Sequence, residues 1–210
     1  MSTTVDSTTI PGYQVGVWNI DPVHSEVSFS VRHMMVSKVR GRFGTFEGQI
    51  VTAADPLQSS VTATIDLSSI DTNDANRDGH LRSADFFDVE THPKMTFKST
   101  SVAAGGDGFV VRGDLTLHGV TKEVTLNVEA NGFGPDAFGG VRAGFTATTE
   151  ISRKDFGVEF NMVLPDGVGV VIGDKVQITI EAEAVLQPAA GAASAADPSA
   201  EAAAGEPAAS

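Results

Sequence analysis

Apolar and polar residues alternate with a period of two along most of the chain. Val27, Phe29, Val31 and His33 take turns with Ser28, Ser30 and Arg32, and Val61, Ala63, Ile65 and Leu67 with Thr62, Thr64 and Asp66. The pattern returns at Met95 and Phe97, from Phe109 through Val111, Gly113 and Leu115 to Leu117, and from Val124 through Leu126 and Val128 to Ala130. It returns again at Val141, Ala143, Phe145 and Ala147, and a last time at Val176, Ile178, Ile180, Ala182 and Ala184. Successive side chains of a strand point to opposite faces, so each segment has one apolar and one wet face. That suits antiparallel strands rather than the doubly buried strands of a parallel sheet. Gly105-Gly106-Asp107-Gly108, Gly132 to Pro135 and Pro165-Asp166-Gly167 are turn signals between segments. About eight such strands in about 170 residues predict an all-β sandwich or a closed barrel, and alternation alone leaves both open.

Two stretches depart from the pattern. In Asp78 to Asp88, Leu81 with Asp85 and Phe86, or with Ala84 and Phe87, falls at helical spacing. Asp78 is placed to cap this segment or to pair with Arg82 four residues on. The spacing predicts a short helix laid across one end of the sheet. After His33, HMMVSKV predicts a turn before a strand near Val39. Gly41, Gly113 and Gly144 fall inside strands, where they allow the bends and bulges that closure of a small barrel needs, and Gly119 and Gly157 fit turns.

Three zones follow: a polar lead at residues 1–12, the alternating domain at 13–186, and an Ala-rich extension at 187–210 broken by Pro188, Pro198 and Pro207. The extension has no apolar stripe for a helix to bury, so a disordered, mildly acidic tail is expected. The chain has 210 residues and a formal charge of -13, with no Lys/Arg cluster, which argues against nucleic acid and against a general anionic membrane partner. Cysteine is absent, which excludes disulfides, thiolate nucleophiles and Cys-based metal centres. No basic and apolar leader pattern opens the sequence and no apolar run is long enough to span a bilayer, so a cytoplasmic protein without membrane insertion is expected.

Candidate chemistry is sparse. His24, His33, His80, His92 and His118 never stand at HExxH or HxH spacing, so no metal site is expected from them. No serine sits in a nucleophile context, and no phosphate-binding glycine loop joins a strand to a helix. Asp74, Arg77, Asp78, His80 and Arg82 form the densest polar group, and Arg153-Lys154-Asp155 a second. An Arg at a pocket mouth binds a phosphate or carboxylate, but an ion pair pinning a helix to a barrel rim explains the same residues. Twelve Phe accompany a single Trp and a single Tyr. Phe29, Phe43, Phe46, Phe97, Phe109, Phe145 and Phe160 would fill a sandwich core or line the hole of a small barrel.

Four ordered segments resemble the YceI-like, or polyisoprenoid-binding, family. They are WNIDPVHSEVSFSVRHMMVSKVRGRFGTFEG at the start, SIDTNDANRDGHLRSADFFDVETHPKMTF from Ser69, GDLTLHGVTK from Gly113 and SRKDFG from Ser152, with GDKVQITIEAE near the end. The resemblance covers about Gly16 to Leu186. It implies an extended eight-stranded antiparallel lipocalin-like barrel with short helical insertions. It also implies non-catalytic binding, storage or transport of a long-chain isoprenoid or related amphiphile. The expected ligands are an isoprenoid quinone, a prenyl phosphate or a fatty-acid derivative, with no cofactor. On that reading Phe29, Val31, Phe43, Phe46, Leu81, Phe86, Phe97, Phe109, Leu115, Phe145 and Phe160 face the ligand. His33, Arg77, His80, Arg153 and Asp155 match positions of the family pattern, and the first four are expected at its head group. A barrel with a collapsed, ligand-free core and a lipid isomerase or cyclase are the competing functions. The flat outer faces of such a barrel are compatible with a homodimer. Many proteins of the family are exported, whereas no export leader is recognised here.

Overall fold

The computed structural model describes residues 10–34, 36–106, 108–162 and 171–188. The strands, in chain order, are β1 (Gly16–Ile20), β2 (Glu26–His33), β3 (Ser37–Phe43), β4 (Phe46–Thr52), β5 (Ser60–Asp66), β6 (Ile70–Asp71), β7 (Lys94–Gly105), β8 (Gly108–Leu117), β9 (Val120–Pro135), β10 (Val141–Ser152) and β11 (Ile172–Leu186). One helix, α1 (Ala75–Arg82), lies between β6 and β7.

All strands belong to one antiparallel sheet in the order β1-β4-β5-β7-β8-β9-β10-β11-β2-β3-β6. A further pairing of β1 with β11 closes the first eight of these into a barrel. This pairing decides between barrel and sandwich. It joins Trp18 to Leu186 and Ile20 to Ala184, contacts between the two ends of the chain that alternation cannot announce.

β11 is long enough to serve two partners on one edge. Its end pairs with β1, and residues nearer its start pair with β2, where Val27 faces Ile180 and Phe29 faces Ile178. β1 and β2 therefore lie end to end, broken at residues 21–25. β4 and β3 repeat the arrangement alongside them, with Thr52 opposite Gly16 and Phe43 opposite Val27. β2, β3 and β6 thus extend the barrel wall at one end.

The helix begins and ends earlier than helical spacing predicts. Asp74 is the N-cap, and its carboxylate accepts from the amides of Asn76 and Arg77, both at 3.1 Å. Asp78 is buried instead of capping, and accepts from the Thr72 amide at 2.9 Å and the Thr72 hydroxyl at 2.5 Å. At the other end the Ser83 hydroxyl donates to the His80 carbonyl at 2.8 Å, and the chain continues to β7 as a series of turns. β3 begins at Ser37, two residues before the expected Val39.

Of the strand glycines, Gly144 adjoins a register shift between β9 and β10, as a bulge requires. Gly119 and Gly157 occupy left-handed turn positions, at φ 74° each. The main core fills the half of the barrel nearer α1, around Leu67, Ile70, Phe97, Leu115 and Phe156. A smaller cluster at the opposite end centres on Trp18, Ala143 and Ala184. Residues 189–210, and with them nearly all of the expected tail, lie outside the described part, as do residues 1–9.

Candidate functional site

Between the two clusters the inward faces of the strands leave an apolar cavity of about 210 Å³. β7 contributes Met95, Phe97 and Val102, β8 contributes Phe109, Val111 and Leu115, and β9 contributes Val124, Leu126 and Val128. Phe46, Ile50 and Ile65 line it from β4 and β5, and Phe145, Ala147, Ile178 and Ile180 from β10 and β11. Most of these residues follow the two-residue alternation of their strands, so the sequence pattern largely selects the lining. Val102 falls out of phase with Phe97 because β7 shifts register between Ser99 and Ser101. Common small-molecule pockets measure about 300–1,000 Å³, which makes this a narrow space suited to a single chain.

The end of the cavity opposite α1 is bordered by Ile10, Tyr13, Thr52, Pro56, Ser59 and Ser60. The Tyr13 hydroxyl donates to the Ala53 carbonyl at 2.7 Å, and its ring meets Phe133 edge-on at 5.4 Å. Phe133 in turn packs edge-on against Trp18 at 5.6 Å and Phe145 at 5.7 Å. Trp18 is fully buried, and its indole Nε1 donates to the Thr52 hydroxyl at 2.8 Å, which in turn donates to the Gln14 carbonyl at 2.7 Å. Gly12, at φ 75°, lies so close to Phe133 that a Cβ there would come within 2.6 Å of the Phe133 carbonyl oxygen. Residues 10–13 are thereby held across this end of the barrel.

The expected site residues separate into two groups. Phe46, Phe97, Phe109, Leu115 and Phe145 line the cavity. The other ten do not. Phe29 and Phe43 pack together at 5.7 Å on the β2–β3 extension, and Phe43 meets Phe87 at 6.3 Å. Val31 and His33 lie further along the same extension, facing Val39 and Ser37. Leu81 packs against the core from α1. His80, Phe86 and Phe160 form a three-ring cluster with centroids 4.9–5.0 Å apart, and His80 Nε2 lies 2.9 Å from the Asp85 carboxylate.

The two expected head-group arginines are both engaged with the chain itself. Arg77 donates to the Thr72 hydroxyl and carbonyl, both at 2.7 Å. The buried Arg153 donates to the carbonyls of Val158 at 2.7 Å, Phe160 at 2.8 Å and Gly173 at 3.1 Å. Burial pushes its pKa below the usual value, against a weaker opposing pull from Asp174. Asp155, in the same Arg153–Phe156 3₁₀ turn, is exposed. Of the two explanations left open for these residues, the geometry at Arg77 and Arg153 is that of structural pins. Arg82 acts in the same way through the carbonyls of Ser68 at 2.7 Å and Ile70 at 2.8 Å.

A charged group missed by the sequence reading gathers outside the barrel. Arg142 Nη1 donates to Asp21 at 2.7 Å and to Glu183 at 2.5 Å, and its Nε donates to Asp136 at 3.3 Å. Its hydrogen bond, followed by one from His24, holds the Asp21 carboxyl far below the usual carboxylate range. Asp136 and Arg142 share the β9–β10 hairpin, but Asp21 and Glu183 come from two distant stretches that no local spacing brings to it. Among the lining residues of the cavity the sole charged side chain is Glu47, which is exposed.

A closed antiparallel barrel around a narrow apolar cavity defines a lipocalin-like protein. A family model described as the YceI-like domain matches residues 18–184, and the chain belongs to that family. A UPF0312 protein of Vibrio cholerae is 46% identical over 138 residues, spanning 65% of this chain and 73% of that protein. A UPF0312 protein of Pseudomonas aeruginosa is 42% identical over 140 residues, 66% of this chain and 73% of its own. Among solved structures, BcnA of Burkholderia cenocepacia superposes with a TM-score of 0.68 at 29% identity, covering 78% of this chain and 98% of that one. A polyisoprenoid binding domain from Saccharophagus degradans, described as implicated in plant cell wall breakdown, shares the fold at 20% identity with a TM-score of 0.59, over 83% and 100%.

Proposed function

We propose that this protein binds the chain of a long isoprenoid or related amphiphile inside its barrel, as a carrier or store and without catalysis. The observation that carries this reading is the cavity itself, an apolar space whose described lining includes no buried acid, base or cation. Each methylene removed from water contributes about 0.8 kcal/mol, so a chain gains affinity there without polar contacts. An acid–base enzyme would need a titratable pair beside the reacting atoms, and the described lining offers only the exposed Glu47 and Tyr13, whose hydroxyl is bonded to the Ala53 carbonyl. The family and the shared fold with a polyisoprenoid binding domain support the same class of ligand. With no Lys or Arg among the described residues that line the cavity, an uncharged head such as a quinone fits better than a prenyl phosphate, which would lack a counter-ion there.

Native mass spectrometry of freshly purified protein, followed by organic extraction, tests the proposal. A stoichiometric isoprenoid or fatty-acid adduct is expected. Titration with quinones of increasing chain length should quench Trp18, the only tryptophan, which packs against the cavity-lining Phe133. A bare mass combined with no saturable quenching by quinones, prenyl phosphates or fatty acids would overturn the reading in favour of a ligand-free barrel.

A further inference from the structure

At the α1 end of the barrel, away from the cavity mouth, three potential ligands converge from two separate parts of the chain. Asp88 lies in the turns after α1, His92 precedes β7, and His118 forms the tight turn between β8 and β9. The donor atoms of all three lie within 4.8 Å of one another, and each residue is half-buried. The two imidazoles meet edge-on with centroids 5.1 Å apart.

The local backbone produces this convergence. His118 and Gly119 are the two central residues of the β8–β9 hairpin, at φ 52° and 74°. Positive φ at both positions matches the turn type favoured by strand twist, in which Asn-Gly is the common pair. His118 thus occupies a position that asparagine would fill at lower conformational cost. A Cβ on Gly119 would sit 2.7 Å from His92 Cε1, so only glycine lets that ring approach. Asp88, at φ 46°, is also left-handed, and its carbonyl accepts from the His92 amide at 2.7 Å, which fixes the Asp–His spacing.

One contact favours one nitrogen of His118 as the ligand. Nδ1 lies 3.3 Å from the Phe156 carbonyl, which can only accept, so this bond puts a proton on Nδ1, and in the neutral ring Nε2 then has the free lone pair. A ligating histidine usually has this arrangement, with its second ring nitrogen donating to a carbonyl or carboxylate. The other mixed cluster, Asp21, His24 and Glu183, differs because the Arg142 guanidinium already bridges its two carboxylates.

We propose that Asp88, His92 and His118 form a binding site for a divalent first-row transition metal, with zinc the natural probe. Two neutral imidazoles and one carboxylate are the borderline donor set such ions take, leaving a fourth position to water. Donor atoms around tetrahedral zinc stand about 3.3–3.5 Å apart, as bonds of about 2.0–2.1 Å require. Binding would draw the three donor atoms, which lie within 4.8 Å of one another, to that spacing. The metal would tie the turns after α1 to the β8–β9 hairpin, and through Phe156 to the 3₁₀ turn that follows β10.

Chelator-treated full-length protein titrated with zinc chloride by calorimetry provides the test. One equivalent should bind, raise Tm and, with cobalt in place of zinc, give the visible absorption of a tetrahedral centre. Asp88→Asn and His118→Asn suit the left-handed backbone at both positions and should keep the fold. Each should weaken zinc at least about 10-fold, the loss that removal of even an outer partner commonly causes. His92→Gln, at an ordinary backbone position, should do the same, and His24→Gln should leave binding unchanged. Absence of saturable zinc binding, or wild-type affinity in the folded Asp88 and His118 variants, would overturn the proposal.

Discussion

The ring of Phe97 on β7 lies directly against Gly113 on β8, so closely that any Cβ at Gly113 would overlap it. Gly113 stands opposite Ser99, where the pairing of the two strands shifts register. The glycine therefore supplies the volume that one of the cavity-lining rings occupies. The same relationship recurs between Phe29 and Gly41, where a Cβ would come within 2.5 Å of the ring. Gly113→Ala should push Phe97 towards the cavity and cost about 1–3 kcal/mol, as overpacking does. Its urea midpoint should fall and its affinity for a quinone chain should drop. Pairing it with Phe97→Leu should recover only part of the loss, because the new Cβ would still lie 2.6 Å from the Lys98 carbonyl oxygen; a double-mutant cycle would measure the part due to the ring.

Phe145 and Phe29 should respond differently to a negative charge. Phe145 lines the cavity, so Phe145→Asp places a carboxylate where the chain would lie and should abolish lipid uptake in protein that remains folded. Phe29 packs on Phe43 and Gly41 outside the cavity and is half-buried, so Phe29→Asp should act on stability, by less than the about 3–5 kcal/mol of a fully buried Phe truncation. Circular dichroism melts with quinone titration separate the two effects.

Arg153→Met should destabilise the protein by about 3 kcal/mol while leaving chain affinity unchanged in the folded fraction. Three carbonyls lose their donor, and methionine fills only the volume. Arg153→Lys should rescue little, because one ammonium cannot reproduce the planar fork that reaches residues 158, 160 and 173. Urea unfolding and a lipid titration on each variant check both halves.

Asp21 gives the fold an acid-sensitive element. Arg142, then His24, lower its pKa in the folded state, so its contribution is fully present above the unfolded value of about 3.9 and declines as pH falls below it. Asp21→Asn should lower Tm at neutral pH and flatten the decline of Tm between about pH 4 and pH 2. An unchanged slope would show that other carboxylates govern acid unfolding.

Local patterning made much of this architecture legible. A period of two requires only neighbouring residues, and it located the strand phases that later proved to line the cavity, from Phe97 and Leu115 to Phe145. The turn glycines at 119 and 157 were legible for the same reason, since a left-handed backbone is a local demand. The helix was placed approximately, because helical spacing in Asp78 to Asp88 was plain whereas the capping role of Asp74 competed with that of Asp78.

The sequence by itself determined an antiparallel all-β chain with alternating faces, an acidic surface without thiols, and the four ordered segments that resemble its family. Only the tertiary structure decided closure, because β1 pairs with β11 across nearly the whole domain. It likewise assigned Arg77 and Arg153 to backbone carbonyls rather than to the cavity, gathered Asp21, Asp136 and Glu183 around Arg142, and brought His92 to His118. Strand alternation is fixed by the geometry of adjacent residues. Which distant strands meet, and which charges then face each other, depends on register and closure, which no short stretch of sequence encodes.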